Sequence, residues 1–246
     1  MGRREHLALV GAGGKTSLLF GLARELSRKG GRVLVTCTTK MRYSEARMAR
    51  RVLFTREDAS WRTRLEESLR ETGPVFLAET LLETGKVQGI SPLLAEELYA
   101  SGIADYLLVE ADGAAGHPLK APADHEPVIP GGVSAVIALM GLEALGRPFS
   151  PETVFRAARF RDITGCEPDR PLTPRILARV VNHPFGLFKG AAASARKIVF
   201  LNKVDLLRRE EKAEELGRLI LRESGGTLSR VVVGSLRAGR YYVIEE

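Results

Sequence analysis

The chain contains a segment whose residue types suit phosphate binding, and it directly follows the apolar run 7–10. Its residues are Gly11, Ala12, Gly13, Gly14, Lys15, Thr16 and Ser17. Glycines let successive backbone N–H groups turn inward around phosphate oxygens. A lysine at the end of such a loop neutralises the outer phosphates, and the next hydroxyl ligates Mg²⁺. A helix expected over residues 15–29 adds the positive end of its dipole, so the segment predicts a Mg²⁺-nucleotide loop.

This loop departs from the usual Gly-x-x-x-x-Gly-Lys-[Ser/Thr] spacing, because Leu9 stands where the first glycine belongs. Gly11 and Gly13 are expected to do that work in a tighter loop. The alternative is a glycine-rich strand-to-helix turn in another kind of α/β domain.

A second apolar run ends in acidic residues. Glu110 follows residues 106–109 directly, and Asp112 and Gly113 come next. This pattern delivers a carboxylate from Glu110 to Mg²⁺, while Asp112 orients or deprotonates the attacking water or joins the metal shell. Gly113 is placed for its N–H to meet a γ-phosphate. Together with Lys15, the two acids are the predicted catalytic residues.

Two hydroxyl side chains follow another expected strand, over residues 32–36. Thr38 and Thr39 are candidates for the Mg²⁺ shell or for holding the γ-phosphate. The alternative is that threonines simply suit the ends of strands.

The loop 116–127 is dense in functional groups, which are His117, Lys120, Asp124, His125 and Glu126. Four of these accept protons or bind metals, and the lysine binds anions. Prolines stiffen the loop, which favours a preorganised substrate site. The alternative is an ordinary polar surface loop, and the spacing matches no standard transition-metal pattern.

Asn202, Lys203 and Asp205 form an Asn-Lys-x-Asp motif after a further apolar run. In many GTPases this arrangement reads guanine, because its carboxylate accepts both N1–H and the exocyclic amine. Adenine leaves that carboxylate without donors, so the motif favours GTP over ATP. The segment 234–236 is expected to support the base.

The composition is that of a soluble globular protein of 246 residues, and it has neither a membrane-length apolar run nor a signal-peptide pattern. Two distant cysteines give no disulfide framework, which fits the cytoplasm. Residues 1–72 hold 16 Lys/Arg and 8 Asp/Glu. The basic run 40–51 suits an acidic partner protein or a solvated face; no nucleic-acid signature accompanies it.

Short apolar runs alternate with helix-length segments along the chain, and most of the runs are continuous rather than alternating. This predicts an α/β layered fold of the P-loop NTPase kind, a mostly parallel sheet flanked by helices. Residues 1–246 are expected to form one domain with a mostly helical insertion at about 142–195. Within it, Ser150-Pro151 and Thr173-Pro174 each predict a helix start.

The glycine-rich loop, Thr-x-Thr-Thr-Lys-Met at 36–41, the long motif 109–130 and the Asn-Lys-x-Asp motif together resemble one family. It is the YqeC type of selenium-dependent molybdenum hydroxylase accessory protein. The resemblance covers most of the chain and implies a role in maturing such a hydroxylase or handling its molybdenum cofactor. More broadly, the chain resembles P-loop metallochaperone NTPases, which also carry an acidic Glu-x-x-Gly motif and in which homodimers across the nucleotide site are common.

These features predict a Mg²⁺-dependent NTP hydrolase, using GTP or ATP, that assists a hydroxylase. One alternative is a small-molecule kinase or nucleotidyltransferase. Its anionic substrate would be held by Lys120 and the histidines, with Arg156, Arg159 and Arg161 as a lid. The other is a nucleotide-gated binding protein that contacts its client without needing catalysis.

Overall fold

The computed structural model describes residues 4–245, and its secondary structure alternates strands with helices. The helices are α1 (Lys15–Arg28), α2 (Tyr43–Ala46), α3 (Trp61–Leu69), α4 (Pro92–Ala100), α5 (Ala157–Thr164), α6 (Pro174–Asn182) and α7 (Glu211–Glu223). The strands are β1 (Glu5–Gly11), β2 (Val33–Cys37), β3 (Lys40–Arg42), β4 (Arg51–Phe54), β5 (Val75–Ala78), β6 (Thr80–Leu81), β7 (Lys86–Gln88), β8 (Tyr106–Glu110), β9 (Leu119–Lys120), β10 (Ala135–Gly141), β11 (Val154–Phe155), β12 (Arg196–Asn202), β13 (Arg230–Ser235) and β14 (Arg240–Ile244).

The chain forms two compact units, and each is built from several stretches of sequence. Unit 1 comprises residues up to Leu9, Thr16–Gly113 and Val128–Ala135. Unit 2 comprises Val10–Lys15, Ala114–Pro127 and the chain from Val136 onward. Whether residues 142–195 are an insertion into a single domain stays a prediction.

Unit 1 is organised around parallel strands in the order β1-β8-β2-β5-β4. Strands β1, β2 and β5 are buried along their whole length. This explains their continuous apolar sequence, because a parallel strand covered on both faces has no solvent side. An antiparallel three-stranded sheet, β3-β7-β6, accompanies them.

Helices cover one face of these strands with aliphatic side chains. Leu65 and Leu69 of α3 and Leu98 of α4 pack with Leu34 and Leu107 of the sheet in one buried cluster. Each fully buried leucine stabilises the fold by about 2 kcal/mol. The helices therefore hold the strand ends that carry the site residues of unit 1.

In unit 2 the strands follow the order β14-β13-β12-β10, with β12 and β13 parallel and the edge strand β14 antiparallel to β13. Helix α6 begins where the sequence predicts. Thr173 accepts a hydrogen bond from the Ile176 N–H as its N-cap, and Pro174 occupies the first turn. Both units thus confirm the predicted α/β fold with a mostly parallel sheet.

The prediction that a helix begins at Ser150-Pro151 is wrong. Residues 151–153 form a turn, β11 follows, and α5 begins only at Ala157. Val154 and Phe155 pair in parallel with Leu119 and Lys120 of β9. This pairing draws a β-branched and an aromatic residue into a strand, so tertiary contacts outweigh the local helix-start signal.

No helix among residues 4–245 is both long and apolar enough to cross a lipid bilayer.

A buried histidine lies in β1 of unit 1. The His6 side chain has no exposed surface, and within residues 4–245 neither ring nitrogen has a hydrogen-bond partner. Its ring lies 5.0 Å from that of Tyr99. Burial disfavours the charged imidazolium and lowers the pKa of His6 from 6.5 to about 4.

This pKa shift predicts a pH-dependent loss of stability. Above pH 6.5 His6 is neutral in both the folded and the unfolded chain, but below it the unfolded chain takes up the proton first. The free energy of unfolding should therefore fall between pH 6.5 and 4, by about 3 kcal/mol in all. In His6→Leu this contribution should vanish. Urea titrations of both proteins at pH 7.5, 5.5 and 4.5 test it; equal pH dependence in the two proteins would contradict it.

Candidate functional site

The glycine-rich loop of unit 2 adopts a backbone that only glycine accommodates. Gly11, Gly13 and Gly14 have φ values of +90°, +79° and +128°. A Cβ atom on Gly11 would lie 2.4 Å from the Leu139 carbonyl oxygen, and one on Gly13 would lie 2.2 Å from the Gly141 nitrogen. Both distances are far shorter than van der Waals contact, so the loop passes directly against the end of β10.

Hydrogen bonds hold the glycine-rich loop in place where it lies against the end of β10. The Ala12 N–H donates to the Leu139 carbonyl at 3.0 Å, and the Gly13 N–H donates to the His117 carbonyl at 3.2 Å. The Gly141 N–H in turn donates to the Pro118 carbonyl at 2.8 Å. The loop is therefore held in shape by the protein itself, which is what a preorganised phosphate cradle requires.

Lys15, the first residue of α1, belongs to the same loop and is only 4% exposed. Its Nζ donates to the Gly11 carbonyl oxygen at 2.7 Å, so the side chain curls back along the loop. A buried ammonium group beside a row of glycines has the charge and position to meet a phosphate.

In unit 1, the structure brings together Thr16 and Glu110, two residues whose role as Mg²⁺ ligands stays a prediction. Glu110 ends β8, where it pairs in register with Leu9 of β1 and Cys37 of β2. The Thr16 hydroxyl donates to its Oε2 at 3.0 Å. A hydroxyl and a carboxylate are hard oxygen ligands, and they fit Mg²⁺.

The other predicted hydroxyls of unit 1 differ in their contacts. Thr38 is buried, and its hydroxyl donates to the Val128 carbonyl at 2.6 Å, while its N–H donates to the Glu110 carbonyl at 3.1 Å. Its backbone thus supports the Glu110 strand end, while its hydroxyl is engaged by Val128. Thr39 is half-buried.

Asp112 and Gly113 follow Glu110 in a turn. Asp112 is 1% exposed, and Gly113 is half-buried with no atom within 4 Å of the position that its Cβ would occupy. The Ala111 N–H donates to the Leu9 carbonyl at 2.9 Å, which fixes the turn to β1. Asp112 is thus a buried carboxylate two residues after the candidate metal ligand, and its role as a water-orienting group stays a prediction.

The loop 116–127 of unit 2 contains a buried ionic triad. Lys120 has a fully buried side chain, and its Nζ donates to Glu126 Oε2 at 2.7 Å. Arg156 donates to the other oxygen, Oε1, at 2.9 Å. Burial is the largest influence on the Glu126 carboxyl and opposes its ionisation, but the two cations together hold its pKa below the ordinary value.

The histidines and Asp124 of this loop lie in different environments. His117 contacts backbone carbonyls through both ring nitrogens, Nδ1 with Ala114 at 3.1 Å and Nε2 with Pro151 at 3.0 Å. Asp124 and His125 are exposed, and Asp124 forms an ion pair with Arg159. No group of three His, Cys, Asp or Glu side chains among residues 4–245 could hold a metal ion.

The Asn-Lys-x-Asp motif of unit 2 lies against the glycine-rich loop. Asn202 is 3% exposed, its Nδ2 donates to the Gly13 carbonyl at 2.7 Å, and its Oδ1 accepts from the Leu236 N–H at 3.1 Å. One amide thereby ties the phosphate loop to the segment expected to support a base. Lys203 has a φ of +69°, and Asp205 is exposed beyond it.

Sequence reasoning missed two residues that contact these motifs. Glu143 forms an ion pair with Lys203, and it follows two residues after the end of β10. The rule that ligands bind beyond the carboxyl ends of strands points to this position. A second missed residue, Lys189, contacts the loop carbonyls of Ala123 and Asp124, and no local pattern identifies it.

Comparisons with known proteins agree with these motifs. The model of the family described as "YqeC protein" matches residues 7–158. The YqeC protein of Escherichia coli strain K12, which is uncharacterised, is 41% identical over 199 residues, covering 80% of this chain and 75% of its own length.

Solved structures give weaker likenesses. Chloroplast FtsY from Physcomitrella patens has a TM-score of 0.40 at 12% identity, covering 94% of this chain and 59% of its own. The signal recognition particle receptor FtsY from Elizabethkingia anophelis has a TM-score of 0.42 at 10% identity, covering 94% and 58%. This chain thus spans less than two thirds of either. The family match and the bacterial relative are decisive, and the chain belongs to the YqeC family.

Proposed function

We propose that this protein is a Mg²⁺-dependent nucleoside triphosphate hydrolase that uses GTP in preference to ATP. The observation that carries the proposal is the Asn202 amide, which joins the glycine cradle at Gly13 to the base-supporting segment at Leu236. A cradle alone serves any phosphate. A cradle tied to an Asn-Lys-x-Asp motif serves a molecule with phosphates at one end and a base at the other.

Each predicted residue has a role in this proposal. The Lys15 ammonium and the loop N–H groups that the Leu139 and His117 carbonyls do not already engage, such as that of Gly14, stabilise the negative charge that develops on the transferred phosphoryl oxygens. Thr16, which follows Lys15 directly, and Glu110 hold Mg²⁺, which neutralises phosphate charge when bound. Asp112 orients the attacking water, and the Gly113 N–H contacts the γ-phosphate.

Removing the Lys15 ammonium should abolish turnover. In Lys15→Ala, Mg²⁺-dependent phosphate release from GTP should fall by at least about 100-fold, because a buried charge at the reacting phosphoryl is lost. Lys29→Ala is the matched control, since Lys29 is an exposed lysine beyond the other end of α1. Release of phosphate by Lys15→Ala at the wild-type rate would contradict the catalytic role proposed for Lys15.

Guanine preference rests on the two acceptor oxygens of Asp205. This exposed carboxylate follows a backbone that Lys203 turns through a left-handed conformation. Guanine offers two adjacent donors to it, N1–H and the exocyclic amine, whereas adenine offers no such pair. Each lost charge-assisted hydrogen bond weakens binding by about 1.5–3 kcal/mol, so GTP should bind tenfold or more tightly than ATP.

Exchanging the Asp205 carboxylate for an amide should change the preferred base. In Asp205→Asn the amide accepts from N1–H and donates to a 2-oxo group, so xanthosine triphosphate should replace GTP as the tightest ligand by calorimetric titration. Glu210→Gln, at an exposed carboxylate paired with Arg240, is the control and should leave GTP preferred. Equal affinity of wild-type protein for GTP and ATP, unchanged in Asp205→Asn, would show that the motif does not read the base.

We further infer that the nucleotide cycle assists maturation of a selenium-dependent molybdenum hydroxylase, by handling its molybdenum cofactor or selenium. Support comes from the family resemblance and from the basic segment 40–51, where Lys40, Arg42 and Arg47 are exposed. Exposed positive charges raise the rate of association with an acidic partner, and this rate then depends on the salt concentration.

Reversing charge in this basic segment should weaken capture of the purified hydroxylase. Lys40→Glu with Arg47→Glu should reduce the amount captured at low salt by at least about fivefold. Arg24→Glu with Arg28→Glu makes the same charge change on the exposed face of α1 in unit 1 and should have little effect. An equal loss in both double variants, or in neither, would refute docking through this segment.

A further inference from the structure

Four basic side chains of unit 2 converge on the loop 116–127. They are Lys120, Arg156, Arg159 and Lys189. Asp124 and Glu126 are among the carboxylates that they contact. Basic side chains are therefore concentrated around this loop.

The two carboxylates neutralise these cations unequally. Glu126 is buried, and both of its oxygens are taken, one by Lys120 and one by Arg156. The Asp124 side chain is 87% exposed, so water screens its ion pair with Arg159. A bound anion can therefore replace Asp124 as the partner of Arg159, and the displaced Asp124 carboxylate remains solvated by water.

Lys189 lies in the same positive region. Its Nζ contacts the carbonyl oxygens of Ala123 and Asp124, the second at 3.0 Å. Desolvation is the largest influence on its ammonium, and the nearby Arg159 and Lys120 charges act in the same direction; together they outweigh Asp124 and Glu126 and lower its pKa. Lys189 therefore places a third basic group, partly withdrawn from water, beside Arg159 and Lys120.

Hydrogen-bond donors are also left over in this cluster. The Nε atoms of Arg156 and Arg159 are buried, and within residues 4–245 neither has an acceptor. Arg156 is the N-cap of α5 and Arg159 lies in its first turn, and both guanidinium groups reach carboxylates of the loop 116–127. Guanidinium groups recognise oxyanions through paired N–H···O bonds.

We propose that Arg156, Arg159 and Lys189 form a binding site for a doubly charged oxyanion of the phosphate class, with Lys120 and Glu126 as its buried support. The site is distinct from the glycine-rich loop, since none of its residues belongs to that loop, and it does not depend on the proposed nucleotide chemistry. The natural ligand is either a free oxyanion or the phosphate group of a small molecule.

Contacts within unit 2 connect this site to the nucleotide loop. The His117 carbonyl accepts from the Gly13 N–H, and the His117 ring lies 5.5 Å from that of Phe155. The Arg156 guanidinium lies 4.9 Å from the same Phe155 ring. Three contacts, Arg156 with Phe155, Phe155 with His117 and His117 with Gly13, therefore connect a ligand at Arg156 to the glycine-rich loop. This connection suits a second substrate.

Phosphate titration by calorimetry, at constant ionic strength set with sodium chloride, tests the site. Wild-type protein should bind two phosphates, one in the glycine-rich loop and one at the arginines, and Lys15→Ala should retain the second. In Lys15→Ala, adding Arg159→Gln should raise the dissociation constant of that phosphate at least tenfold, while Arg159→Lys should recover part of the affinity. Arg161→Gln, on the exposed surface of the same helix, should leave it unchanged.

The outcomes separate the two sources of ligand. Tighter binding of glycerol 3-phosphate than of phosphate identifies a phosphorylated small molecule, and the reverse identifies a free oxyanion. If Arg159→Gln and Arg161→Gln bind phosphate equally well in the Lys15→Ala protein, the proposal fails. Should Lys15→Ala not fold, the single variant Arg159→Gln must bind one phosphate fewer than the wild-type protein; an equal number bound by the two proteins overturns the site.

Discussion

The close contact between the glycine-rich loop and the end of β10 is the constraint on which the rest of unit 2 depends. There is no room for a Cβ atom at Gly11 or Gly13, because the backbone of residues 139–141 occupies that space. This contact fixes the loop backbone, places the carbonyl of Gly13 for Asn202, and brings residues 117 and 118 into the same hydrogen-bond network. A larger residue at either glycine would displace three segments together, so the position of the glycine-rich loop is coupled to that of the Asn-Lys-x-Asp motif.

The sequence predicted the α/β class and the position of Glu110 at the end of a strand because both follow from local physics. Continuous apolar runs such as those of β2 and β5 have to be buried on both faces, and parallel strands deliver their carboxyl-end residues to one edge. The pairing of Thr16 with Glu110 follows from that rule alone. The error at Ser150-Pro151 has the opposite origin, since the β9–β11 pairing involves residues more than 30 positions apart, which no local pattern encodes.

Side-chain partners were the least predictable feature for the same reason. Lys120 was expected to hold an anionic substrate, and the structure places its ammonium group against Glu126, six residues along the chain. The expected role stays a prediction, but the burial of this pair suggests that Lys120 acts by fixing Glu126 and, through it, Arg156. A buried carboxylate with two cationic partners is costly to disrupt, at about 3–5 kcal/mol if one partner is removed. Such a triad adds little net stability, and its value lies in holding an arginine in one orientation.

Arg156 combines that fixed orientation with backbone strain. Its φ of +62° lies in the left-handed region, where a residue with a Cβ costs about 1 kcal/mol or more. The surrounding contacts compensate for this cost, since Glu126 accepts from the guanidinium and Phe155 lies beneath it. Strain maintained by specific contacts is typical of positions where a side chain must be aimed before its ligand arrives. Because a guanidinium held this way loses little conformational entropy on binding, an exposed surface arginine would be a poor substitute for it.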